Sequence, residues 1–257
     1  MIISKIIFLI GGIGVKFFEK ISAKLNDRQA EGITIAFLGD SVTQGCFECP
    51  SVNEGRIGET VYDYKSAYST RMREILNMLY PCVPFHIINA GISGDNTECG
   101  LKRLWRDIIA KSPDLVIVSY GLNDSTKGME GLPEYEKNLE DIFAALQKEN
   151  IDTIFLTQNF DCTKTSPYAV DPHIMELSVF LANLQNEGVL KAYFDSAKGL
   201  AKKYGVKVCD LYSVWEKMAE KKVDTTELLA NKLNHPIREF HYYMAIKLIE
   251  TIFYDFE

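Results

Sequence analysis

Four short segments of the sequence each combine small or turn-forming residues with side chains that can do acyl-transfer chemistry. They read Gly39-Asp40-Ser41, "NAGISGDNT" at 89–97, "GLND" at 121–124 and "NHP" at 234–236. A serine hydroxyl becomes a nucleophile when a base takes its proton, and acyl transfer also needs N–H groups that hold the oxyanion. We therefore predict that Ser41 is the nucleophile. The Ser41 N–H, Gly94 and Asn123 are the predicted oxyanion donors, although Gly94 could be a simple turn glycine and Asn123 a helix cap.

The base must be one of four histidines. His86 falls inside an apolar run and is expected to be structural. His241 falls within the last predicted helix, as a surface or packing residue. His235 precedes a proline, which keeps its backbone out of the helix and lets its ring face the cleft. We predict His235 as the base, with His173, in a long insertion, as the weaker alternative.

Short apolar runs that alternate with longer helical patterns must position these residues. The runs predict five strands, mostly continuous in hydrophobicity and so covered on both faces, at 33–38, 85–89, 115–119, 153–157 and 206–209. Helices are expected at about 64–79, 97–111, 132–149, 188–204 and 236–253. This alternation predicts a parallel sheet between helix layers, with 33–38 as its central strand. Ligands bind beyond the carboxyl ends of such strands, which is where three of the four segments fall.

Composition places the chain among ordinary globular proteins. It has 257 residues, 47% of them hydrophobic and 25% charged, without a repeat or a Pro/Gly/Ser-rich linker, so we predict a single domain. The net charge of −7 and the absence of a dense Lys/Arg cluster make nucleic acid an unexpected partner. Cys46 and Cys49 have C-x-x-C spacing, but no second Cys/His pair follows at zinc-site spacing. We expect ordinary reduced thiols rather than a redox or metal site.

The N-terminus, "MIISKIIFLIGGIGVKFF", has a short apolar core like that of a signal peptide. No small-x-small cleavage site follows, and the run is too short to span a bilayer. Residues 6–25 fit an amphipathic helix, which we expect to pack on the domain. The predicted location is cytoplasmic. The alternative is an exported or membrane-associated protein that retains this segment as an anchor or uncleaved signal.

The four segments, in this order, resemble the sequence blocks of the GDSL-type, or SGNH, hydrolases over about residues 33–253. By residue, Ser41 matches the nucleophile block, Gly94 the second block, Asn123 the G-x-N-D block and His235 the histidine block. The resemblance implies a flavodoxin-like, three-layer α/β/α sandwich with a central parallel five-stranded sheet. It further implies esterase or lipase chemistry without a metal or cofactor.

One position departs from the family pattern, in which the histidine block usually reads Asp-x-x-His. Lys232 stands where that aspartate is expected. The orienting group is therefore left open among side chains and a backbone carbonyl, the candidate side chains being Asp224, Glu227, Glu239, Asn231 and Asn234. Asp40, adjacent to Ser41 in sequence, is expected to organise the loop rather than to orient the histidine.

The expected substrate is a small ester. The segment "LLANKLNHPIREFHYYMA" is similar to bacterial family members that act on carbohydrate or small esters. The loops expected to line the site, residues 46–65 and 159–178, are polar and aromatic, which favours short acyl groups on a polar carrier such as an acetylated sugar. Two alternatives remain: a flavodoxin-like module whose "GDSVTQG" loop binds a phosphate or nucleotide, and a non-catalytic SGNH-like binding protein.

Overall fold

The elements of the fold are those of a computed structural model, which describes residues 15–49, 51–53, 56–167 and 171–254. The strands are β1 Ile33–Gly39, β2 Ser51–Asn53, β3 Arg56–Glu59, β4 Phe85–Gly91, β5 Leu115–Ser119, β6 Asp152–Leu156 and β7 Lys207–Cys209. The helices are α1 Val15–Asn26, α2 Ser41–Gln44, α3 Tyr68–Leu79, α4 Thr97–Asp107, α5 Leu132–Lys148, α6 Pro172–Asn186, α7 Val189–Tyr204, α8 Tyr212–Glu220 and α9 Arg238–Tyr254.

The main sheet is parallel and has the strand order β4-β1-β5-β6-β7. In order along the chain this is 2-1-3-4-5, the flavodoxin-like order, so the predicted fold class is confirmed. The prediction that 33–38 is the central strand is wrong, because β1 lies second and β5 occupies the centre. The apolar pattern does not distinguish the two, since both strands are interior and buried.

Helices cover both faces of this sheet. On one face α3 packs on α9, and Phe17 of α1 lies against Phe85 of β4, with ring centroids 6.5 Å apart. On the other face α4, α5 and α7 pack in sequence. The buried apolar side chains of both layers belong to one core cluster that includes residues from α1 to α9. None of the described helices has the length and apolarity needed to cross a membrane.

The five predicted sheet strands agree with the structure to within two residues at either end. Three helices, α2, α6 and α8, and the β2–β3 hairpin do not appear among the predicted elements. For α6 a local signal existed, because Asp171 caps the helix and Pro172 occupies its first turn. Of the predicted N-terminal helix, α1 covers 15–26, and residues 6–14 lie outside the described residues.

Close approaches at the carboxyl ends of two strands place α2 at the edge of the sheet. A Cβ on Gly39 would lie 2.1 Å from Thr43 Oγ1, and one on Gly91 would lie 2.2 Å from the Gln44 nitrogen. Only glycine therefore lets α2 lie directly over the ends of β1 and β4. Ser41, the first residue of α2, is held at this edge.

Candidate active site

Ser41 and His235 are joined by a hydrogen bond. Ser41 Oγ lies 2.9 Å from His235 Nε2, and each residue is only 6% exposed. Ser41 begins α2, and Asp40 caps that helix by accepting the Val42 N–H at 3.0 Å. The structure thus brings together the two residues that the sequence predicts as nucleophile and base, although they are 194 positions apart.

The other ring nitrogen of His235, Nδ1, lies 3.0 Å from the backbone carbonyl oxygen of Phe47. A carbonyl oxygen can only accept a hydrogen bond, so Nδ1 carries the proton and Nε2 presents its lone pair to the Ser41 hydroxyl. Burial lowers the pKa of His235 to about 4, although the Phe47 carbonyl and the charge of Glu48 oppose this shift. The imidazole is therefore neutral near pH 7 and able to take a proton.

The side chains proposed as orienting groups for His235 have other partners. Asn231 Oδ1 accepts the N–H groups of Leu233, Asn234 and His235 and so shapes the loop. Lys232 pairs with Glu227 at 2.9 Å. The remaining candidates are also engaged elsewhere or exposed: Asp224 pairs with Lys164, Asn234 Oδ1 accepts from Asn231, and Glu239 is exposed. Of the alternatives left open, the backbone carbonyl is the one that contacts His235 Nδ1.

Phe47 is held in place by groups around its ring and its backbone. The Arg238 guanidinium lies 4.4 Å from the centroid of its ring, and the His241 ring lies 4.6 Å from it. Arg238 also binds both carboxylate oxygens of Glu48 and donates to Asp63 at 2.9 Å. The Phe47 N–H donates to the carbonyl of Val61 at 2.9 Å. These contacts aim the carbonyl that orients His235.

The other three histidines do not take part in this pair. His241 is fully buried and accepts the Tyr68 N–H, so of its two predicted roles the packing role is the correct one. His86 was expected to be structural, but β4 is an edge strand and its side chain is exposed. His173, the weaker candidate base, is exposed in the first turn of α6.

The predicted oxyanion donors lie in two loops that are tied to each other. Asn123 Nδ2 donates to the carbonyl of Asp95 at 2.8 Å, which leaves its second amide hydrogen for another acceptor. The side chain of Asn123 makes no capping hydrogen bond, which argues against the alternative role of this side chain as a helix cap. Gly94 is a turn glycine with φ of 77°, and a Cβ there would meet nothing within 4 Å. Its backbone is therefore open to an approaching ligand.

Arg103 organises these loops, although no sequence motif predicts it. Its guanidinium is bonded to Asp95 Oδ2 through two nitrogens and to the carbonyls of Gly39 and Ala90. It also donates to the hydroxyl of Tyr120, which itself donates to Asp95. One side chain thus binds the carboxyl ends of β1 and β4 and the residue that follows β5. One signal in the sequence does indicate its burial. Arg103 lies on the same face of α4 as Leu104 and Gly100, which are buried.

Asp40 is linked to the Asn123 loop through Gln158. The Gln158 amide donates to Asp40 Oδ2 at 2.8 Å, and its oxygen accepts the Leu122 N–H at 3.1 Å. Burial raises the pKa of Asp40 to about 7. Asp40 therefore organises the loop, as predicted. Because the Asp40 side chain already accepts the Val42 N–H, this turn is a poor binding site for a phosphate.

The C-x-x-C pair of the sequence lies within the described part of the chain. Cys46 and Cys49 are buried free thiols, and burial raises the pKa of Cys46 to about 11. Among the described residues, no cluster of three or more His, Cys, Asp or Glu side chains could hold a metal ion.

Comparison with known proteins finds both sequence and structural relatives. The curated acetylxylan esterase of Geobacillus stearothermophilus is 35% identical over 94 residues, 36% of this chain and 40% of that protein. The match thus spans about two-fifths of the relative's length. Among solved structures, the acetyl xylan esterase AlAXEase has a TM-score of 0.62 at 21% identity, covering 85% of this chain and 98% of that one.

A second structural relative is Axe2, an acetylxylan esterase from Geobacillus stearothermophilus. It has a TM-score of 0.63 at 20% identity and covers 87% of this chain and 95% of its own. Its structures include catalytic mutants in which a serine, an aspartate or a histidine is replaced by alanine. At such identities these likenesses establish a shared fold.

The family model described as "GDSL-like Lipase/Acylhydrolase family" matches residues 37–241 of the chain. This range holds all four sequence segments and most of the sheet. The chain therefore belongs to the GDSL-like lipase/acylhydrolase family, whose members are carboxylic ester hydrolases.

Proposed function

We propose that this protein is a serine esterase that removes short acyl groups, above all acetyl groups, from carbohydrates. The observation that carries the proposal is the arrangement of Ser41 Oγ, His235 Nε2 and the Phe47 carbonyl, joined by contacts of 2.9 and 3.0 Å. A buried neutral imidazole with its lone pair on a serine hydroxyl is the arrangement that nucleophilic catalysis requires.

In the first half-reaction His235 Nε2 takes the Ser41 proton as Oγ attacks the carbonyl carbon of the ester. The tetrahedral intermediate then collapses, the sugar hydroxyl leaves with the proton from Nε2, and an acyl group remains on Ser41. In the second half-reaction His235 takes a proton from water, whose oxygen attacks the acyl carbon, and the acid departs as Oγ regains its proton.

The oxyanion of each intermediate is stabilised by the Ser41 N–H, the Gly94 N–H and the free amide hydrogen of Asn123. The open space at Gly94 supports these roles, as does the fact that Asn123 Nδ2 has one partner, the Asp95 carbonyl, among the described residues. Burial raises the pKa of Asp40 to about 7, so near neutral pH part of the population carries no negative charge beside Ser41, which favours the developing oxyanion. Loss of one donor typically costs about 3 kcal/mol of transition-state stabilisation.

Acetylated carbohydrate as the substrate is supported by the relatives. The sequence relative and two structural relatives are acetylxylan esterases, and Axe2 is also described as an acetyl-xylooligosaccharide esterase. The two loops expected to line the site meet in the fold, because β2 lies against α6. Their polar and aromatic composition favours a short acyl group on a polar carrier.

The decisive experiment replaces the nucleophile. Ser41→Ala should reduce kcat/KM for 4-nitrophenyl acetate and for acetylated xylo-oligosaccharides by roughly 10⁴-fold or more. Ser22→Ala, an exposed serine on α1, is the matched control and should retain full activity. A fluorophosphonate probe should label Ser41 in the unmodified protein and in the control, but not the Ser41→Ala variant.

Hydrolysis that survives Ser41→Ala would contradict the assignment of the nucleophile. A folded protein that neither hydrolyses these esters nor reacts with the probe would instead be a binding protein. In a series of 4-nitrophenyl esters, acetate should be preferred over butyrate and longer chains. A preference for long chains would overturn the proposed acyl class.

A further inference from the structure

Two tyrosines form an exposed aromatic pair beside the candidate active site. Tyr62 is 44% exposed and Tyr64 is 58% exposed, which are high values for such large rings. Their ring centroids lie 6.2 Å apart and their planes differ by 19°. Nearly parallel rings at this separation are offset, so each leaves a large part of one face uncovered by the other.

The backbone places this pair next to the histidine half of the site, which consists of His235 and the Phe47 carbonyl that it contacts. Tyr62 forms an antiparallel bridge with Cys46, and Asp63 N–H donates to the Gly45 carbonyl at 2.9 Å. The same short ladder includes the bond from Phe47 to Val61, and Phe47 carries the carbonyl that orients His235. The tyrosines therefore stand on the segment that is paired with the His235 support.

The side chain of Tyr62 also reaches the oxyanion half of the site, which consists of the Gly94 and Asn123 loops. It lies near Cys46 and Ser93: burial raises the pKa of the Tyr62 hydroxyl, Cys46 raises it further, and Ser93 lowers it. Ser93 directly precedes Gly94, and its N–H donates to Gln44 Oε1 at 2.7 Å. Tyr62 thus lies next to both loops between which the ester is proposed to sit, and Tyr64 extends this aromatic surface outward.

Such a surface has the chemistry of a sugar-binding subsite. One face of a pyranose ring presents C–H groups that pack on an aromatic ring, while its hydroxyls stay in water at the edge. Arg238, which lies beside this segment, pairs with both Glu48 and Asp63. Lys65, next to Tyr64, is exposed, so the aromatic faces rather than the charges of this rim indicate a sugar.

We propose that Tyr62 and Tyr64 are a carbohydrate subsite that packs against a sugar of the acetylated chain while its ester occupies the Ser41 site. This proposal rests on the proposed function and extends it, because it assigns the residues that recognise the sugar rather than the acyl group. The proposed ligand of this subsite is a neutral carbohydrate.

The test compares a sugar ester with an ester that lacks sugar. For Tyr62→Ala and Tyr64→Ala, the ratio of kcat/KM on an acetylated xylo-oligosaccharide to kcat/KM on 4-nitrophenyl acetate should fall about five- to tenfold. The change should appear mainly as a higher KM for the oligosaccharide. Tyr62→Phe and Tyr64→Phe should keep most of the ratio, because the ring rather than the hydroxyl makes the contact.

Tyr254→Ala is the matched control, since this exposed tyrosine ends α9 while the site lies at its start. A helix of 17 residues separates the two ends by about 25 Å. Thermal unfolding verifies that each variant is folded. An unchanged ratio in folded Tyr62→Ala and Tyr64→Ala, or an equal fall in Tyr254→Ala, would overturn the proposal.

A binding measurement separates this proposal from the proposed function. Titration of Ser41→Ala with the acetylated xylo-oligosaccharide should give heat of binding, reduced by a further Tyr62→Ala or Tyr64→Ala substitution. If Ser41 proves irrelevant to hydrolysis, the proposed function fails while the titration still reports on the tyrosines. Binding of adenosine monophosphate as tight as that of the sugar would overturn the carbohydrate assignment in favour of base stacking.

Discussion

The two halves of the site are held by different physical means. On the oxyanion side, Arg103 and Asp95 form a buried ion pair, 7% and 6% exposed, that also binds backbone carbonyls. On the histidine side, the support of His235 is a backbone carbonyl, and Arg238, Glu48 and Asp63 around it are partly exposed. Buried charges are weakly screened and costly to leave unpaired, whereas partly exposed pairs contribute little each.

This difference has a consequence for the chemistry of the proposed base, His235. A carboxylate beside histidine both fixes the tautomer and stabilises the imidazolium that forms during reaction. The Phe47 carbonyl can fix the tautomer, but it offers a dipole rather than a full charge. The catalytic mutants of Axe2 include one at an aspartate, whereas here the position expected for an aspartate holds Lys232. The histidine half of this site therefore depends on backbone geometry.

The largest effect is expected from Arg103→Ala, which breaks the oxyanion half. It leaves the Asp95 carboxylate buried without its cation and removes the guanidinium donors of the Gly39 and Ala90 carbonyls. The free energy of unfolding should fall by about 3–5 kcal/mol, and kcat should fall with it. Urea unfolding followed by circular dichroism measures the first, and hydrolysis of 4-nitrophenyl acetate the second.

Arg106→Ala is the control for that experiment. Arg106 is 74% exposed and pairs with Asp107 in the last turn of the same helix. Its loss should change the free energy of unfolding by less than about 1 kcal/mol. If Arg103→Ala were no more destabilised than Arg106→Ala, the two halves would not differ in the way described.

The sequence predicts the oxyanion half far better than the histidine half. Ser41, Gly94 and Asn123 follow interior or neighbouring strands whose apolar runs are distinct, so both the strands and the residues after them could be placed. The Phe47 carbonyl could not be identified, because every residue has a backbone carbonyl and its direction depends on tertiary contacts. The role of Arg103 could not be predicted, because charged residues on a helix are usually solvated and the burial of this one depends on its contacts with Asp95 and Tyr120.

Arg238→Ala tests the histidine half and should have a moderate effect. It removes the group packed on the Phe47 ring and the bonds to Glu48 and Asp63, so the carbonyl that orients His235 becomes less well fixed. We expect kcat to fall about tenfold, with KM for 4-nitrophenyl acetate changed much less. Arg238→Lys should recover little of this loss, because an ammonium group lacks the planar fork.

Arg71→Ala provides the control for Arg238. Arg71 is equally exposed, at 32% against 33%, and pairs with Glu74 on α3. It should keep normal kcat. A tenfold loss in Arg71→Ala, or none in Arg238→Ala, would show that the contacts around Phe47 do not set the position of His235.

The pH profile should report the buried, neutral state of His235. Its pKa of about 4 lies below the ordinary value of 6.5, so the active neutral form persists as the pH falls to about 5. Activity is lost only as the pH falls through about 4, where the ring becomes protonated. The plot of kcat/KM for 4-nitrophenyl acetate against pH should therefore be half-maximal near pH 4 on its acid side. Glu48→Gln should move this limb lower, because the charge of Glu48 raises the pKa of His235.

An acid limb near 6.5 would mean that His235 is solvated in the working enzyme. A separate change near pH 7 would belong to Asp40, whose pKa is raised to that value by burial. Asp40→Asn would remove that change while leaving the limb of His235 in place.

The smallest effect is expected from Lys232→Ala, at the position where the family pattern has an aspartate. Lys232 binds Glu227 at the surface, and His235 Nδ1 already has its acceptor in Phe47. The side chain at position 232 is therefore not expected to take part in the reaction. The value of kcat/KM for 4-nitrophenyl acetate should change less than about twofold in Lys232→Ala. Lys232→Asp should not raise kcat either, because the new carboxylate would have to displace a carbonyl that is fixed by its own ladder. A marked gain of activity in Lys232→Asp would mean that the Phe47 carbonyl is only a resting partner of His235 and that the chain retains the geometry for an acid.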